Sequence, residues 1–336
     1  MRIWFNHWFS TAYRLMELLK QGDNSIEIIA SSRTEHAVYQ KMAEEFYVEP
    51  TDISDEDYVD WCIEFCKEHN IDVLFPRRCR VAISKNLHRF DALGVKVLVD
   101  RNVELMDLLE DKKKTADLFF KHNICKVPDM YIVNNVKQFK NAYDLLKQKY
   151  VEDRICIKYC KDEGATSFRV IDNVVDNISV LRLGTGAKIN YERVCEMLAS
   201  VEHFDDLIVM PYLKGPEVSI DSLNTDKGFI GISRYKVGTR STAVEYDETL
   251  YNISKKFAEV TGIKCPYNLQ LRYHNDELYL LEVNTRMAGG SHKSCMTGIN
   301  IPYIALCDLI GKDFDLPNVK EIKPLTISEI ETPIIL

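Results

Sequence analysis

The chain has 336 residues, a formal net charge of −8 at pH 7, 46% apolar residues and 28% charged residues. This length suits two or three packed units, and the apolar fraction is ample for sizeable cores. The acidic balance argues against general nucleic-acid binding, which needs a basic face, and no apolar run approaches the roughly 20 residues that span a bilayer. Ten scattered cysteines without a C-x-x-C pair, and an N-terminus too polar for a signal peptide, predict reduced thiols and a cytoplasmic protein.

The first hundred residues alternate between strand and helix patterns. These patterns predict strands at 2–5, 25–31, 71–75 and 95–99, and helices at 11–20 and 55–69. Such a βαβ rhythm implies a parallel sheet covered by helices. The loop after the first strand, residues 6–10, has no G-x-G-x-x-G sequence, so we do not expect a Rossmann dinucleotide site.

A second unit is predicted to begin near Asp111, where a helix runs to about His122. The middle third is then expected to form a small α+β unit, with strands at 131–133, 154–159, 168–171 and 207–212, helices at 139–150 and 191–200, and a loop at 181–187. The last third is rich in strand patterns. Its predicted elements are strands at 217–223 and 228–235, a hairpin at 268–272 and 276–281, and helices at 250–261 and 301–310.

The second hairpin strand leads into Glu282, Asn284 and Arg286, which share one face because side chains alternate along a strand. The carboxylate and the amide oxygen suit a hard cation such as Mg²⁺, and the guanidinium suits the anion that accumulates when a phosphoryl group moves. A three-residue loop after His274 would place Gln270 opposite Glu282 and add a second amide oxygen. A two-residue loop there would turn Gln270 to the other face, and both alternatives stay open.

The order and spacing of these segments resemble the ATP-grasp ligases over nearly the whole chain. Each motif is short, and the correct order over so long a span is what makes the match specific. The resemblance implies a fold of α/β and α+β class in three parts. These parts are an N-terminal Rossmann-like domain at 1–110, a small α+β lid with a linker helix at 111–212, and a C-terminal catalytic subdomain with an antiparallel sheet at 213–336.

Two lysines match the phosphate-binding lysines of that family. Lys112 follows an aspartate at the start of a helix, and Lys158 interrupts an apolar strand, where burial without a partner is costly. Residues 161–167 resemble the flexible loop that folds over the phosphates, with Lys161 at its start and Gly164 as its single glycine. The resemblance also implies a hinge that holds the adenine and ribose, formed by Met210, Pro211, Tyr212, Leu213 and Glu217.

The resemblance assigns the metal site to Gln270, Glu282 and Asn284, with glutamine at the first position as in the carbamoyl-phosphate-synthase branch. Arg286 matches the arginine beside the transferred phosphate. The implied cofactors are ATP and two Mg²⁺ ions, with Mn²⁺ as an allowed substitute.

The glycine-containing turn that follows resembles the segment that meets the acceptor substrate. The candidate substrate residues in it are Gly289, Gly290, Ser291 and His292. His292 is a candidate for a substrate contact or a general base. Arg234 and Arg240 are candidates to hold a substrate carboxylate.

The resemblance therefore implies a stand-alone carboxylate–amine ligase that works through an acyl phosphate, converts ATP to ADP and phosphate, and uses Lys158 and Arg286 as catalytic residues. The implied partners are ATP, a small carboxylate and an amine of amino-acid type, without nucleic acid or membrane, and a homodimer is left open. Two other interpretations stay open. One is an ATP-binding subunit or regulator without turnover, and the other is a carbamoyl-phosphate-synthase-like enzyme that acts on carboxyphosphate.

Overall fold

The computed structural model describes residues 1–162, 166–174 and 187–336. Gly164 of the predicted flexible loop, and all but the last residue of the loop predicted at 181–187, lie outside the described residues. The described residues form two compact units. The first unit contains Met1–Leu109, Glu217–Gln270 and Val283–Leu336, and the second unit contains Glu110–Pro216 and Leu271–Glu282. The predicted division at residues 110 and 212 into three domains stays a prediction.

The N-terminal part of the first unit contains the predicted parallel sheet and its helices. The strands are β1 (Arg2–Asn6), β2 (Glu27–Ser32), β3 (Glu45–Val48), β4 (Val73–Pro76) and β5 (Lys96–Val97), and their order in the sheet is β3-β2-β1-β4-β5. The helices are α1 (Ala12–Gly22), α2 (Asp55–Glu68), α3 (Arg80–Lys85), α4 (Leu87–Ala92) and α5 (Val103–Glu110). Consecutive residues of β1 are buried because alternate side chains enter different cores, with Trp4 on one face and Ile3 and Phe5 on the other.

The second unit is built on a mixed five-stranded sheet. Its elements are α6 (Lys112–Lys121), β6 (Tyr131–Val133), α7 (Val136–Lys149), β7 (Ile155–Tyr159), β8 (Arg169–Ile171), β9 (Lys188–Ile189), α8 (Tyr191–Ala199) and β10 (Leu207–Pro211), and the strand order is β6-β10-β7-β8-β9. Phe139 and Val194 of the two later helices pack into the core on one face of this sheet. The other face carries Cys156 and Met210, which pack with Leu281 of the hairpin.

The third sheet is antiparallel where its register is described. Its strands are β11 (Glu217–Thr225), β12 (Gly228–Lys236), β13 (Ser241–Glu245), β14 (Tyr267–His274), β15 (Glu277–Asn284) and β16 (Leu325–Ser328), in the order β15-β14-β11-β12-β13-β16. The helices of this part of the chain are α9 (Glu248–Thr261), α10 (Ser291–Cys295) and α11 (Ile301–Ile310). Among the described residues, we find no helix that combines the length and the apolar character needed to cross a membrane.

The hairpin of β14 and β15 has the shorter of the two predicted loops. Only Asn275 and Asp276 lie between the strands, and their φ angles of 50° and 61° give the left-handed two-residue turn that suits a hairpin. The three-residue alternative is therefore wrong. Leu280 and Val283 are the buried positions near the end of β15, and in a regularly alternating strand two residues three apart lie on opposite faces. The observed turn is the alternative under which Gln270 lies on the other face from Glu282, so their joint role as metal ligands stays a prediction.

Candidate functional site

The start of α6 directs Lys112 into the second unit. The Asp111 carboxylate caps this helix, accepting hydrogen bonds from the backbone N–H groups of Lys113 at 2.9 Å and Lys114 at 3.1 Å. This negative charge at the helix N-terminus offsets the unfavourable placement of three lysines there. The Lys112 side chain is buried, with 8% of the residue exposed, and its Nζ donates to the backbone carbonyl of Asp162 at 2.6 Å.

Lys158 lies in the middle of β7, opposite Ile208 of β10, and its Nζ donates to the Leu281 carbonyl at 3.3 Å. Burial lowers the pKa of Lys158, and the neighbouring Lys112 lowers it further, while Glu282 raises it. The second unit thus gathers two ammonium groups and one carboxylate within electrostatic reach. We call Lys112 and Lys158 the lysine pair. Predicted Lys161, by contrast, is exposed at the surface.

The predicted hinge is the end of β10 and the turn that follows it. Met210 and Leu213 are buried, and the backbone N–H of Tyr212 donates to the Arg154 carbonyl at 2.8 Å. The Tyr212 ring contacts Phe168, with 6.2 Å between ring centroids. The hinge therefore has an apolar lining within the second unit, and its predicted contacts with the adenine stay a prediction.

The chain leaves this hinge through a tight approach of two backbone segments. The Gly215 N–H donates to the Tyr273 carbonyl at 2.9 Å, and a Cβ on Gly215 would lie 2.4 Å from that same oxygen. Only glycine fits there, because the oxygen belongs to the backbone and cannot move aside. Glu217 follows in the first unit, where its carboxylate forms an ion pair with Lys236 at 3.0 Å.

Arg286, in the first unit, is held beside the loop that follows β1. Its guanidinium donates to the Asn284 side-chain oxygen at 3.3 Å and lies 4.6 Å from the centroid of the Phe9 ring. Arg77 lies over the same ring at 4.3 Å. Two guanidinium groups therefore contact one aromatic ring, and each is attracted to it by a cation–π interaction. Sequence reasoning missed Phe9 and Arg77, since the loop after β1 was considered only for its lack of glycines.

Asp221 is the central polar residue of the first unit, and sequence reasoning missed it. Its carboxylate lies on β11, is 2% exposed, and forms an ion pair with Arg234 at 2.6 Å. Burial alone would raise the pKa of the Asp221 carboxyl, but the Arg234 charge and the hydrogen bonds of Arg234, Ser294 and Ser291 keep it below the ordinary value. Strand β11 contains several other polar residues, so no pattern in the sequence singles out Asp221.

Three further hydrogen bonds complete the surroundings of Asp221. The hydroxyl groups of Ser291 and Ser294 donate to it at 2.7 and 2.6 Å, and the amide nitrogen of Asn268 donates at 2.8 Å. Asn268 in turn accepts a hydrogen bond from the Gln270 side-chain nitrogen at 3.1 Å. The structure therefore connects two predicted sites. Arg234 and Ser291 bind the Asp221 carboxylate directly, and Gln270 is linked to it through Asn268. We call these side chains the Asp221 network.

The glycine turn lies against the outer edge of Arg234. A Cβ on Gly290 would lie 2.5 Å from Arg234 Nη1, so the absence of a side chain lets the guanidinium come close to the backbone. Gly289 has ordinary space, with the nearest atom to its Cβ position, Thr11 Oγ1, at 3.4 Å. This turn and Arg234 are thus neighbours, as expected if both meet one substrate.

His292 interacts with protein atoms through both ring nitrogens. Nδ1 lies 3.1 Å from the Gly289 carbonyl, and Nε2 lies 3.5 Å from the Glu329 carboxylate. Burial lowers the pKa of His292, against the opposing effects of Gly289 and Glu329. The role of His292 as a substrate contact or base stays a prediction, and these contacts favour a structural role.

The predicted metal ligands differ from the donor sets of common metal clusters. Within the described ranges, no three His, Cys, Asp or Glu side chains gather in a group that could hold a metal ion. The predicted set instead offers one carboxylate, Glu282, and the amide oxygens of Gln270 and Asn284. All three are hard oxygen donors, which fits Mg²⁺, because this ion usually keeps waters and substrate phosphates in its remaining positions.

Comparison with known proteins bears on the fold and the family resemblance. Residues 203–333 match a family model described as ATP-grasp in the biosynthetic pathway with Ter operon. Over 276 residues the chain is 24% identical to the carbamoyl phosphate synthase large chain of Clostridium acetobutylicum. This alignment covers 77% of this chain and 23% of that protein. The chain therefore spans less than a quarter of the length of this relative.

Two solved structures share the fold. N5-carboxyaminoimidazole synthetase from Staphylococcus aureus, complexed with ADP, gives a TM-score of 0.68 at 14% identity and covers 98% of this chain and 82% of that one. L-amino acid ligase from Bacillus licheniformis gives a TM-score of 0.66 at 16% identity and covers 97% and 78%. The family model and the sequence relative confirm the predicted resemblance to the ATP-grasp ligases. The two solved structures confirm the predicted fold of α/β and α+β class.

Proposed function

We propose that this chain, which has an ATP-grasp fold, is an ATP-dependent ligase that joins a carboxylate to an amine and produces ADP and phosphate. The observation that carries the proposal is the lysine pair. Lys112 and Lys158 lie close enough to repel each other, with the Glu282 carboxylate beside them. Such a cluster favours a polyanion accompanied by a cation, as in a nucleotide triphosphate with Mg²⁺.

The reaction has two steps in this proposal. A carboxylate oxygen of the first substrate attacks the γ-phosphorus of ATP, and the bond from that phosphorus to the bridging oxygen breaks, which gives an acyl phosphate and ADP. Lys158 and Arg286, with Lys112, stabilise the negative charge on the transferring oxygens. The amine nitrogen of the second substrate then attacks the acyl carbon, phosphate leaves, and loss of a proton yields the amide.

The cofactor residues follow from the fold and from their donor chemistry. Gln270, Glu282 and Asn284 are the proposed ligands of two Mg²⁺ ions, and Mn²⁺ is an acceptable substitute because it also accepts oxygen ligands. A metal bound there would neutralise part of the negative charge of the phosphates. The adenine is held by the hinge at 210–213, the ribose by Glu217, and Lys161 closes on the phosphates from the surface.

The amine substrate is proposed to carry a carboxylate, as an amino acid does. The supporting observation is Arg234, whose Nε and Nη2 are both bound to Asp221 while Nη1 faces the Gly290 backbone. A guanidinium held in this way offers its remaining edge to a planar anion. Arg240 is exposed and forms an ion pair with Glu331 at 3.4 Å, so it is the weaker candidate.

The test is Mg²⁺-dependent release of ADP and phosphate across a panel of carboxylates and amino acids. We expect release that requires both substrates in the wild-type protein and no release in a Glu282→Ala variant. Lys140→Met serves as a matched surface control, because Lys140 is exposed on α7 of the same unit.

Two results would contradict the proposal. Tight ATP binding with no turnover on any pair would favour an ATP-binding regulator. ADP release that needs bicarbonate and ammonia, without an organic carboxylate, would instead favour a carbamoyl-phosphate-synthase-like reaction through carboxyphosphate.

A further inference from the structure

The donor and the acceptor of each hydrogen bond to Asp221 are fixed, because an ionised carboxylate can only accept hydrogen bonds. Asn268 lies 2.8 Å from Asp221 through its Nδ2 atom, so the amide must present its NH₂ group to the carboxylate. The other end of that amide, Oδ1, is then an acceptor. Asp221 therefore fixes which way the Asn268 amide points.

The same logic extends one residue further along β14. Because Asn268 Oδ1 accepts, the Gln270 amide must present its NH₂ group to it, at 3.1 Å. Gln270 Oε1 then points away from Asn268. An amide that could flip would offer a metal ion either an oxygen or an NH₂ group, and only the oxygen can be a ligand.

The orientation of the Arg234 guanidinium is also set by the Asp221 carboxylate. Its Nε donates at 2.6 Å and its Nη2 at 3.3 Å, so two donors on one edge of the guanidinium define the plane of the group. The side chain is 11% exposed, and Nη1 faces the Gly290 backbone. Ser291 and Ser294 occupy the remaining acceptor positions of Asp221 from α10.

We propose that Asp221 is a positioning residue that orients Gln270 Oε1 toward the metal through Asn268, and at the same time orients Arg234 Nη1 toward the carboxylate of the amine substrate. One buried carboxylate thereby sets both metal affinity and substrate recognition. The inference rests on the proposed function, since it takes Gln270 as a metal ligand and Arg234 as a substrate ligand.

The first test separates orientation from general stability by means of two substitutions. Asn268→Leu removes the group that orients Gln270, and Mn²⁺ binding in the presence of ADP, followed by electron paramagnetic resonance, should weaken about tenfold or more. Gln270→Glu replaces the amide by a carboxylate, whose two oxygens are equivalent, so orientation no longer matters. The double variant Asn268→Leu with Gln270→Glu should therefore recover Mn²⁺ affinity to within about threefold of wild type.

The matched control is Asn224→Leu, which makes the same change on β11. Asn224 is half-buried and donates to the Ile263 carbonyl at 3.0 Å, outside the Asp221 network. Its Mn²⁺ affinity should equal that of wild type. Equal affinity in Asn268→Leu, or a failure of Gln270→Glu to rescue it, would overturn the inference, because a merely structural Asn268 predicts no rescue.

The second test concerns the link to the substrate. Asp221→Asn should raise both the KM of the amine substrate and the Mn²⁺ dissociation constant, whereas Arg234→Lys should raise only the KM. If Asp221→Asn does not fold, the Asn268 and Gln270 variants decide the question alone. Mn²⁺ binding is measured without turnover, so the predicted binding pattern with no ligase activity would refute the proposed function and the substrate role of Arg234, and would leave the orientation of Gln270 by Asp221 standing.

Discussion

The lysine pair of the second unit and the Arg234 site of the first unit hold their positive charges in opposite ways. Lys112 and Lys158 face each other's charge, and burial and repulsion both lower the pKa of Lys158. Arg234 is neutralised inside the protein by a buried carboxylate, whose other oxygen positions are occupied by hydroxyl and amide donors. The first arrangement is completed by an anion from outside, and the second is complete before any ligand arrives.

This difference separates two ways of building a charged site. A buried cation cluster is unfavourable for folding and is retained where a polyanion binds. A buried and fully hydrogen-bonded ion pair adds little net stability, but it fixes geometry, and removing one partner is costly. Substitutions in the two places should therefore move activity and stability in different proportions.

The largest expected effect is on turnover in Lys158→Met. Loss of one charge that stabilises the transferring phosphoryl group should lower the rate of ADP release by a factor on the order of 10²–10³. The free energy of unfolding should stay the same or rise, because an unfavourable buried charge is removed. ADP release and urea unfolding measure the two quantities, with Lys140→Met as control. Turnover like that of wild type would refute the role of the lysine pair.

The next effect is on stability, in Asp221→Leu. Arg234 would be left as a buried charge without its carboxylate, and the free energy of unfolding should fall by about 3–5 kcal/mol. The double variant Asp221→Leu with Arg234→Met should regain most of that loss, because no buried charge then remains. Urea denaturation checks both variants. A double variant as unstable as the single one would show that the hydroxyl and amide donors, and not Arg234, decide the cost.

A smaller effect is expected in Gly290→Ala. The new methyl group would lie 2.5 Å from Arg234 Nη1 and should push the guanidinium away from the turn. The KM of the amine substrate should rise by a factor of about 10 to 100, since one charge-assisted contact is worth roughly 1.5–3 kcal/mol. The temperature of thermal unfolding should fall slightly, because the displaced guanidinium strains its buried ion pair with Asp221. Gly238→Ala is the matched control, because a Cβ there would have ordinary space, with its nearest neighbour Ser241 Cβ at 3.5 Å. An equal rise in KM there would argue against a specific role for Arg234.

The smallest effect is the pH dependence of stability that comes from His292. Burial lowers the folded-state pKa below 6.5, and nearby Lys293 and Arg234 lower it further, against Gly289 and Glu329. The unfolded chain therefore binds the proton more readily. Stability from this group is complete above about pH 6.5 and falls as the pH drops through that value.

His292→Gln should accordingly flatten part of the decrease in unfolding free energy between pH 7.5 and 5.5. His7 also has a pKa lowered by burial, so some pH dependence should remain in this variant. Urea titrations at both pH values measure the difference. An unchanged slope would mean that His292 is not a source of the dependence.

The long apolar strands and amphipathic helices were predictable because burial imposes a period on the sequence. Strand β1 and helix α2 are examples, and Ser54 caps α2 as a serine before an acidic first turn should. The short strands β3, β13 and β16 were missed. Their residues are mostly half-buried or exposed, so they have no strong apolar period, and their place depends on pairing with distant strands.

The site was predictable only as far as single residues reveal chemistry. Lys158 was conspicuous because a charge interrupted an apolar strand, whereas Asp221 lies in a strand with several other polar residues and has no such signal. What the sequence could not supply is the set of partners of Asp221, since Arg234, Asn268 and Ser294 come from three separate segments.

The hairpin tip has a practical consequence for dissecting this protein. Residues 271–282 pack with the second unit, although the chain before and after them belongs to the first. A fragment that starts at residue 213 would expose the apolar side chain of Leu281, and a fragment that ends there would lack the hairpin side chains that pack beside Met210. We expect both pieces to aggregate when expressed alone and to regain solubility when expressed together.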